Sequence, residues 1–360
     1  MTDFQSIDQL VGEAIKNNVF PGASLLVGYQ GRIVFENIYG DAQSTPVKRP
    51  LEKTHFFDIA SLTKPLATAT LFILAVQEKL IGTKDLVSQF FSSGTLQGTT
   101  LENLLNHTSG LPDWKPYFKN INQPYPEQII QQVLQEPLIN PVGSTCIYSD
   151  LGYILLGDIL EKIYSTKLDV LFSQKIAAPL GLSDTFYQPL HQKIITDESR
   201  FVATENCPWR HKILVGEVMD DNAWAMGGVA GHAGLFSTAG DLYKWIMELR
   251  RAQVGKSSLI QRNIFDAFTE VKKDRDLNLR CFTLGFDTPS LPSSSGHHFS
   301  VQSLGHLGYS GTSFWWDRDK DLAVILLTNR VHPDRHNEGI KKFRPQFHDA
   351  IIKALGLTTD

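Results

Sequence analysis

FDIASLTKPLATATLFILAV, residues 57–76, places a serine three residues ahead of a lysine at the mouth of an almost wholly apolar helix. From Leu66 to Val76 only Thr68 and Thr70 interrupt the apolar run. A run of that length fits a helix buried in a globular core and is too short to cross a bilayer. Three residues make just under one helical turn, so Ser61 and Lys64 share a face. An unpaired ammonium at so dry a place costs on the order of several kcal/mol. Activating a serine hydroxyl would explain why a lysine is kept there. Chance alone gives about one Ser-x-x-Lys spacing in a chain of ordinary composition, so the apolar setting carries the reading. The alternative is a plain N-cap serine followed by a solvated first-turn lysine.

Outward from this helix, the chain reads as strands and a helix at both ends with helices between. An amphipathic helix is predicted from Phe4, Ile7, Leu10, Val11, Ala14 and Ile15. GASLLVGYQGRIVFENIYG then divides at Gln30-Gly31 into two β-rich runs, a hairpin. From the Ser61 helix to about residue 270, helices and long loops dominate, with turn-rich breaks near 110–125, 137–145 and 178–190. Phe314-Trp315-Trp316, a charged turn at 317–321 and LAVILLT at 322–328 form a second hairpin, and a helix from roughly Pro345 to Leu355 closes the chain. The expected fold is α+β: an antiparallel sheet assembled from both chain ends and flanked by helices, with a large, mainly helical insert. The expected domains are 1–60 with 271–360, and 61–270, with the site at their interface.

Composition narrows the function. The 360 residues are 42% hydrophobic and 20% charged, with net charge −4. There is no extended basic run, so neither nucleic acid nor a membrane is the expected partner. Cys146, Cys207 and Cys281 are too few and too scattered for a disulfide framework or a zinc site. The eleven histidines show no HExxH, so no metal and no cofactor is expected. The polar, early-acidic N-terminal stretch lacks a signal-peptide core, so a cytoplasmic location is expected.

Two further segments complete the chemistry. Tyr148-Ser149-Asp150 precedes the helical run LGYILLGDIL. A tyrosine beside Lys64 loses its proton more easily and can serve as general base and then general acid; Asp150 is well placed as the N-cap of the helix that follows. Gly305-His306-Leu307-Gly308-Tyr309 offers close backbone approach, with the Tyr309 N–H joining that of Ser61 as an oxyanion hole. His306 would hold a substrate carboxylate or tune the proton balance, or else is a turn residue. His107-Thr108-Ser109-Gly110 reads as a structural turn, His232 as structural, and Asp220-Asp221 as a solvated loop.

Ser-x-x-Lys, Tyr-x-Asp and His-x-Gly in this order resemble the β-lactamase and penicillin-binding serine hydrolases, the class C-like branch above all. LLNHTSGLPDW (104–114), GGVAGHAGLFSTAGDL (227–242), GHLGYSGTSFWWD (305–317) and LLTNRVHP (326–333) extend the similarity over nearly the whole chain. The resemblance implies Ser61 as nucleophile, Lys64 and Tyr148 as proton-handling groups, and Gly308 and Tyr309 beside the oxyanion. Two positions depart from the family pattern. Asp150 stands where most relatives carry an asparagine that donates to substrate, and His306 stands in place of the lysine of Lys-Thr-Gly. An ionised Asp150 would favour a substrate N–H or pair with Lys64. Both departures make efficient β-lactam hydrolysis unexpected. The motif style is closest to peptidoglycan-fragment amidases and esterase-like hydrolases, which implies an acyl-enzyme and a small-molecule or peptide-like ester or amide substrate. The competing expectation is a non-catalytic, penicillin-binding-like sensor that keeps the fold.

Overall fold

A computed structural model describes residues 4–92, 94–121, 123–271 and 276–358. Its strands in chain order are β1 Gly22–Tyr29, β2 Arg32–Gln43, β3 Arg49–Pro50, β4 Phe57–Asp58, β5 Phe186–Tyr187 and β6 Asn206–Cys207. β7 Lys212–Ile213, β8 Leu235–Ser237, β9 Leu304–Leu307, β10 Ser313–Asp317 and β11 Leu322–Thr328 follow. One sheet has the order β3-β2-β1-β11-β10-β9, antiparallel throughout, and is built from both ends of the chain as expected.

The central strands show why. β1 and β11 are buried on both faces, which explains their continuous apolar runs. Ala23, Leu25, Val27, Val324 and Leu326 pack with Ile7, Val11, Phe343 and Phe347 of the two terminal helices. Leu26, Ile325 and Leu327 face the opposite way, into the large core that contains Trp245, Phe72 and Tyr153. Gln30 and Gly31 both take positive φ, 51° and 76°, the backbone of a tight two-residue hairpin turn.

Three expectations need revision. The last helix runs Ile340–Ala354, with Pro345 inside it rather than at its start; Ile340 and Phe343 are buried against the sheet, and that packing recruits the extra turn. The insert also holds short strands: β5 and β8, which pair with β4 just ahead of the insert in a sheet of order β4-β8-β5, and the β6-β7 pair. Strands of two or three residues leave no period in a sequence. Finally, the apolar helix is longer than the run from Leu66 suggests: 60–77 form one helical stretch long and apolar enough to span a membrane, but 83% of it is buried in the fold. It is a core helix. Residues 272–275, just past the expected boundary at 270–271, lie outside the described residues.

Candidate active site

Ser61 lies in a 3-10 turn, Ala60–Leu62, and Lys64 opens the wider helical turns that lead into the Thr70–Gln77 helix. Lys64 is fully buried, and its three protons are all placed. Nζ donates to Ser61 Oγ at 2.9 Å, to Asp150 Oδ1 at 2.6 Å and to the His232 carbonyl at 3.3 Å. The same nitrogen lies 4.8 Å from the centre of the Tyr148 ring. Remote segments therefore bring the hydroxyl, the amine and the phenol to one place. The Tyr148 hydroxyl is buried and interacts with both Lys64 and Ser61.

Electrostatics set the protonation states. Burial alone would depress the Lys64 ammonium, but the charges of Asp150 and Tyr148 more than offset it, and its pKa is raised. Burial likewise raises the Tyr148 phenol, with Lys64 opposing and Asp150 reinforcing. The resting site is thus an ammonium–carboxylate pair beside a neutral phenol. An ammonium with every N–H donated has no lone pair to accept the serine proton.

Asp150 is not the N-cap. Ser149 caps the Asp150–Tyr164 helix, with its side chain accepting from the Gly152 N–H, and so frees the next carboxylate to reach Lys64. Because Asp150 raises both Lys64 and Tyr148, Asp150→Asn is expected to move the alkaline rise of kcat/KM toward neutral pH. A pH–rate profile checks this; an unmoved rise would show that Asp150 does not govern the base.

The loop after β9 carries the other half. Thr312 Oγ1 donates to the Ile59 carbonyl at 3.0 Å, and Ser310 Oγ donates to the Asp58 carbonyl at 2.7 Å. These bonds fasten the Tyr309 loop to the backbone just ahead of Ser61. Gly308 is required by that approach, since a Cβ there would come within 2.6 Å of the Ile59 carbonyl. Ser61, Gly308 and Tyr309 line one cavity of about 560 Å3, with Tyr148, Asp150 and His306.

His306 is a strand residue of β9, not a turn residue. Nδ1 sits 3.0 Å from the Leu307 carbonyl, and Nε2 is buried without a partner. Burial, then the Lys64 charge, holds its pKa well below the usual histidine range. A neutral imidazole cannot hold a carboxylate by charge, as the lysine it replaces would.

Several residues here were set aside in the sequence reading or not named in it. His107 lies in a turn, as expected, with φ +63°; it accepts the Ser149 N–H at 3.0 Å and packs 4.6 Å from the Tyr148 ring, so it anchors the tyrosine's loop. Asp220 pairs with His232 Nε2 at 2.8 Å; burial alone would raise its carboxyl, but His232 and the Ala223 N–H more than offset this and hold it down at about 2. Asp221 is buried between Arg210 and Arg335, the opposite of a solvated loop residue. Glu205, Cys207 and Asp221 offer ligand atoms close together, but Arg335 already neutralises both carboxylates. Arg280 stacks 5.5 Å over Tyr148. Arg330 and Arg344, each 6% exposed, line the cavity and form no ion pair among the described residues. None had a local signature, because an arginine's partner is chosen by the fold.

The β-lactamase family model matches residues 7–344. The chain belongs to the β-lactamase family. It is 31% identical over 364 residues to the N-acetylmuramyl-L-alanine amidase of Bacillus subtilis (strain 168), covering 91% of this chain and 81% of that protein. Among solved structures it superposes on EstCE1, a hydrolase with promiscuous acyltransferase activity, with a TM-score of 0.73 at 20% identity, covering 95% of this chain and 98% of that one. The octameric penicillin-binding protein homologue of Pyrococcus abyssi gives a TM-score of 0.76 at 18% identity, covering 99% and 78%.

Proposed function

We propose that the protein is a serine hydrolase acting through an acyl-enzyme on an ester or amide, with a muramyl-peptide amide as the specific substrate class. One observation carries the reading: a fully buried Lys64 donates to Ser61 Oγ at 2.9 Å while lying against Tyr148. In the proposed sequence the Tyr148 phenolate, favoured by Lys64 and Arg280, takes the Ser61 proton. Oγ bonds to the substrate carbonyl carbon, and the oxyanion is held by the N–H groups of Ser61 and Tyr309. Tyr148 returns the proton to the leaving oxygen or nitrogen as the bond to it breaks. Water then attacks the acyl-serine by the reverse path, and the serine recovers its proton.

The amidase relative supports the muramyl-peptide class, and so does the cavity wall. Arg330 and Arg344 are buried cations without carboxylate partners, suited to an anionic group on the substrate. Burial, reinforced by Arg330, pushes Arg344 down to about 9, so it is still charged at neutral pH. Arg344 Nη2 also donates to the Gly308 and Thr312 carbonyls of the Tyr309 loop, so Arg344→Gln is expected to slow p-nitrophenyl acetate hydrolysis somewhat, and to raise KM for carboxylate-bearing substrates by a further factor of about ten to a hundred. Equal effects on both substrates would exclude anion recognition.

The deciding experiment compares an N-acetylmuramyl peptide, short p-nitrophenyl esters and nitrocefin. Peptide cleavage is expected, with ester turnover well above nitrocefin turnover. Faster nitrocefin hydrolysis would overturn the weight placed on His306 and Asp150; no turnover of any, with Ser61 unreactive, would favour a sensor.

A further inference from the structure

Ala60, the residue before the nucleophile, has φ +48°. A left-handed backbone at a residue other than glycine needs something to hold it. Asp58 supplies that hold. The residue is 2% exposed, and Oδ1 accepts the Ala60 N–H at 2.8 Å. Oδ2 accepts the Met219 N–H at 2.7 Å, and the Asp58 carbonyl accepts from Ser310 Oγ. One residue therefore ties together three segments of the cavity: the Ser61 turn, the Met219-Asp220 loop and the loop bearing Tyr309.

We infer that Asp58 is a positioning residue whose ionised carboxylate keeps the Ser61 turn in register with the Tyr309 loop, making serine reactivity depend on its charge. The inference rests on the serine hydrolase reading. Both carboxylate oxygens receive an N–H. Protonation removes the charge that strengthens both bonds and leaves the hydroxyl oxygen a much poorer acceptor, so at least one of the two bonds weakens. Either weakening loosens a segment that sets the direction of the Ser61 N–H or the shape of the cavity.

The charged groups around Asp58 agree with titration in an accessible range. Burial pushes its carboxyl up to about 6, against the Met219 and Ala60 N–H bonds; the Asp220 charge adds to the rise, and Arg210 opposes it. Asp220 is itself paired with His232. A carboxyl raised in the folded protein favours folding at low pH, and that contribution is lost as pH rises through about 6. Reactivity should therefore fall on acidification even though Asp58 itself does not favour unfolding there.

The test is the second-order rate of Ser61 labelling by a fluorophosphonate on the full chain from pH 5 to 7.5, with near-UV circular dichroism confirming native packing. Asp58→Asn is never ionised and keeps one acceptor oxygen. The wild type is expected to label about tenfold or more faster than Asp58→Asn at pH 7.5, with the two rates converging at pH 5. Taking the ratio cancels any pH dependence the two proteins share, including that of Tyr148. A ratio constant with pH overturns the inference. If Asp58→Asn does not fold, Asp220→Asn takes its place: loss of the neighbouring charge should move the acid-side break of the labelling profile to lower pH, and an unmoved break overturns the inference. A wild-type protein not labelled at any pH overturns the hydrolase reading and this inference with it, whereas normal labelling without a break near pH 6 overturns this inference alone.

Discussion

Ser61→Ala is expected to abolish covalent labelling and to lower ester turnover by on the order of 10⁴-fold or more, the loss typical when an attacking oxygen is removed. The fold should survive. Ser61 is only partly buried and receives a single bond from Lys64, which keeps its bonds to Asp150 and His232. A melting temperature close to the wild type, together with absent labelling, assigns the loss to chemistry. Labelling of the alanine variant at the wild-type rate would move the nucleophile elsewhere and end the acyl-serine proposal.

Lys64→Ala is expected to be costly twice over. Catalysis loses the cation that favours the Tyr148 phenolate, a drop of about 10³-fold or more. Stability falls as well, since removing a fully buried ammonium leaves the Asp150 carboxylate facing Tyr148 alone. Breaking such a pair typically costs about 3–5 kcal/mol; Asp150 retains some solvent contact, its side chain being 17% exposed, so about 3 kcal/mol is the better expectation. Lys64→Met combined with Asp150→Asn removes both charges and should recover most of the melting temperature while remaining inactive. Recovery of activity in that pair would show that the ammonium is structural.

The two assignments that sequence supported best share a property. Ser61 and Lys64 are separated by less than a turn of helix, so their proximity is a local fact, and the apolar run behind them announces burial. The hairpins were legible for the same reason: Gln30-Gly31 has the backbone preferences of its turn, and β1 and β11 are long enough to show continuous apolar character. Tyr148 was legible only through its resemblance to a motif, because nothing between residues 64 and 148 says that the two will touch. Asp58 was passed over altogether. Inside FDIASLTK it looks like any aspartate, and what makes it important is that the Met219 N–H ends up opposite its second oxygen. Asp221 was misread as solvated although two arginines enclose it, and of the readings open for His306 the turn gives way to a buried strand position.

What the amino-acid order determined by itself is the set of local elements and the chemical inventory: an apolar core helix with a serine and a lysine at its mouth, terminal strands that must pair, and a tyrosine and a histidine in motif positions. What only the tertiary structure decided is the protonation of that inventory. Whether Lys64 is charged, whether His306 is neutral and whether Arg344 lacks a counter-ion all depend on which groups from remote segments share a low-dielectric space, and charge in such a space is set by neighbours a few ångströms away rather than by neighbours in the chain.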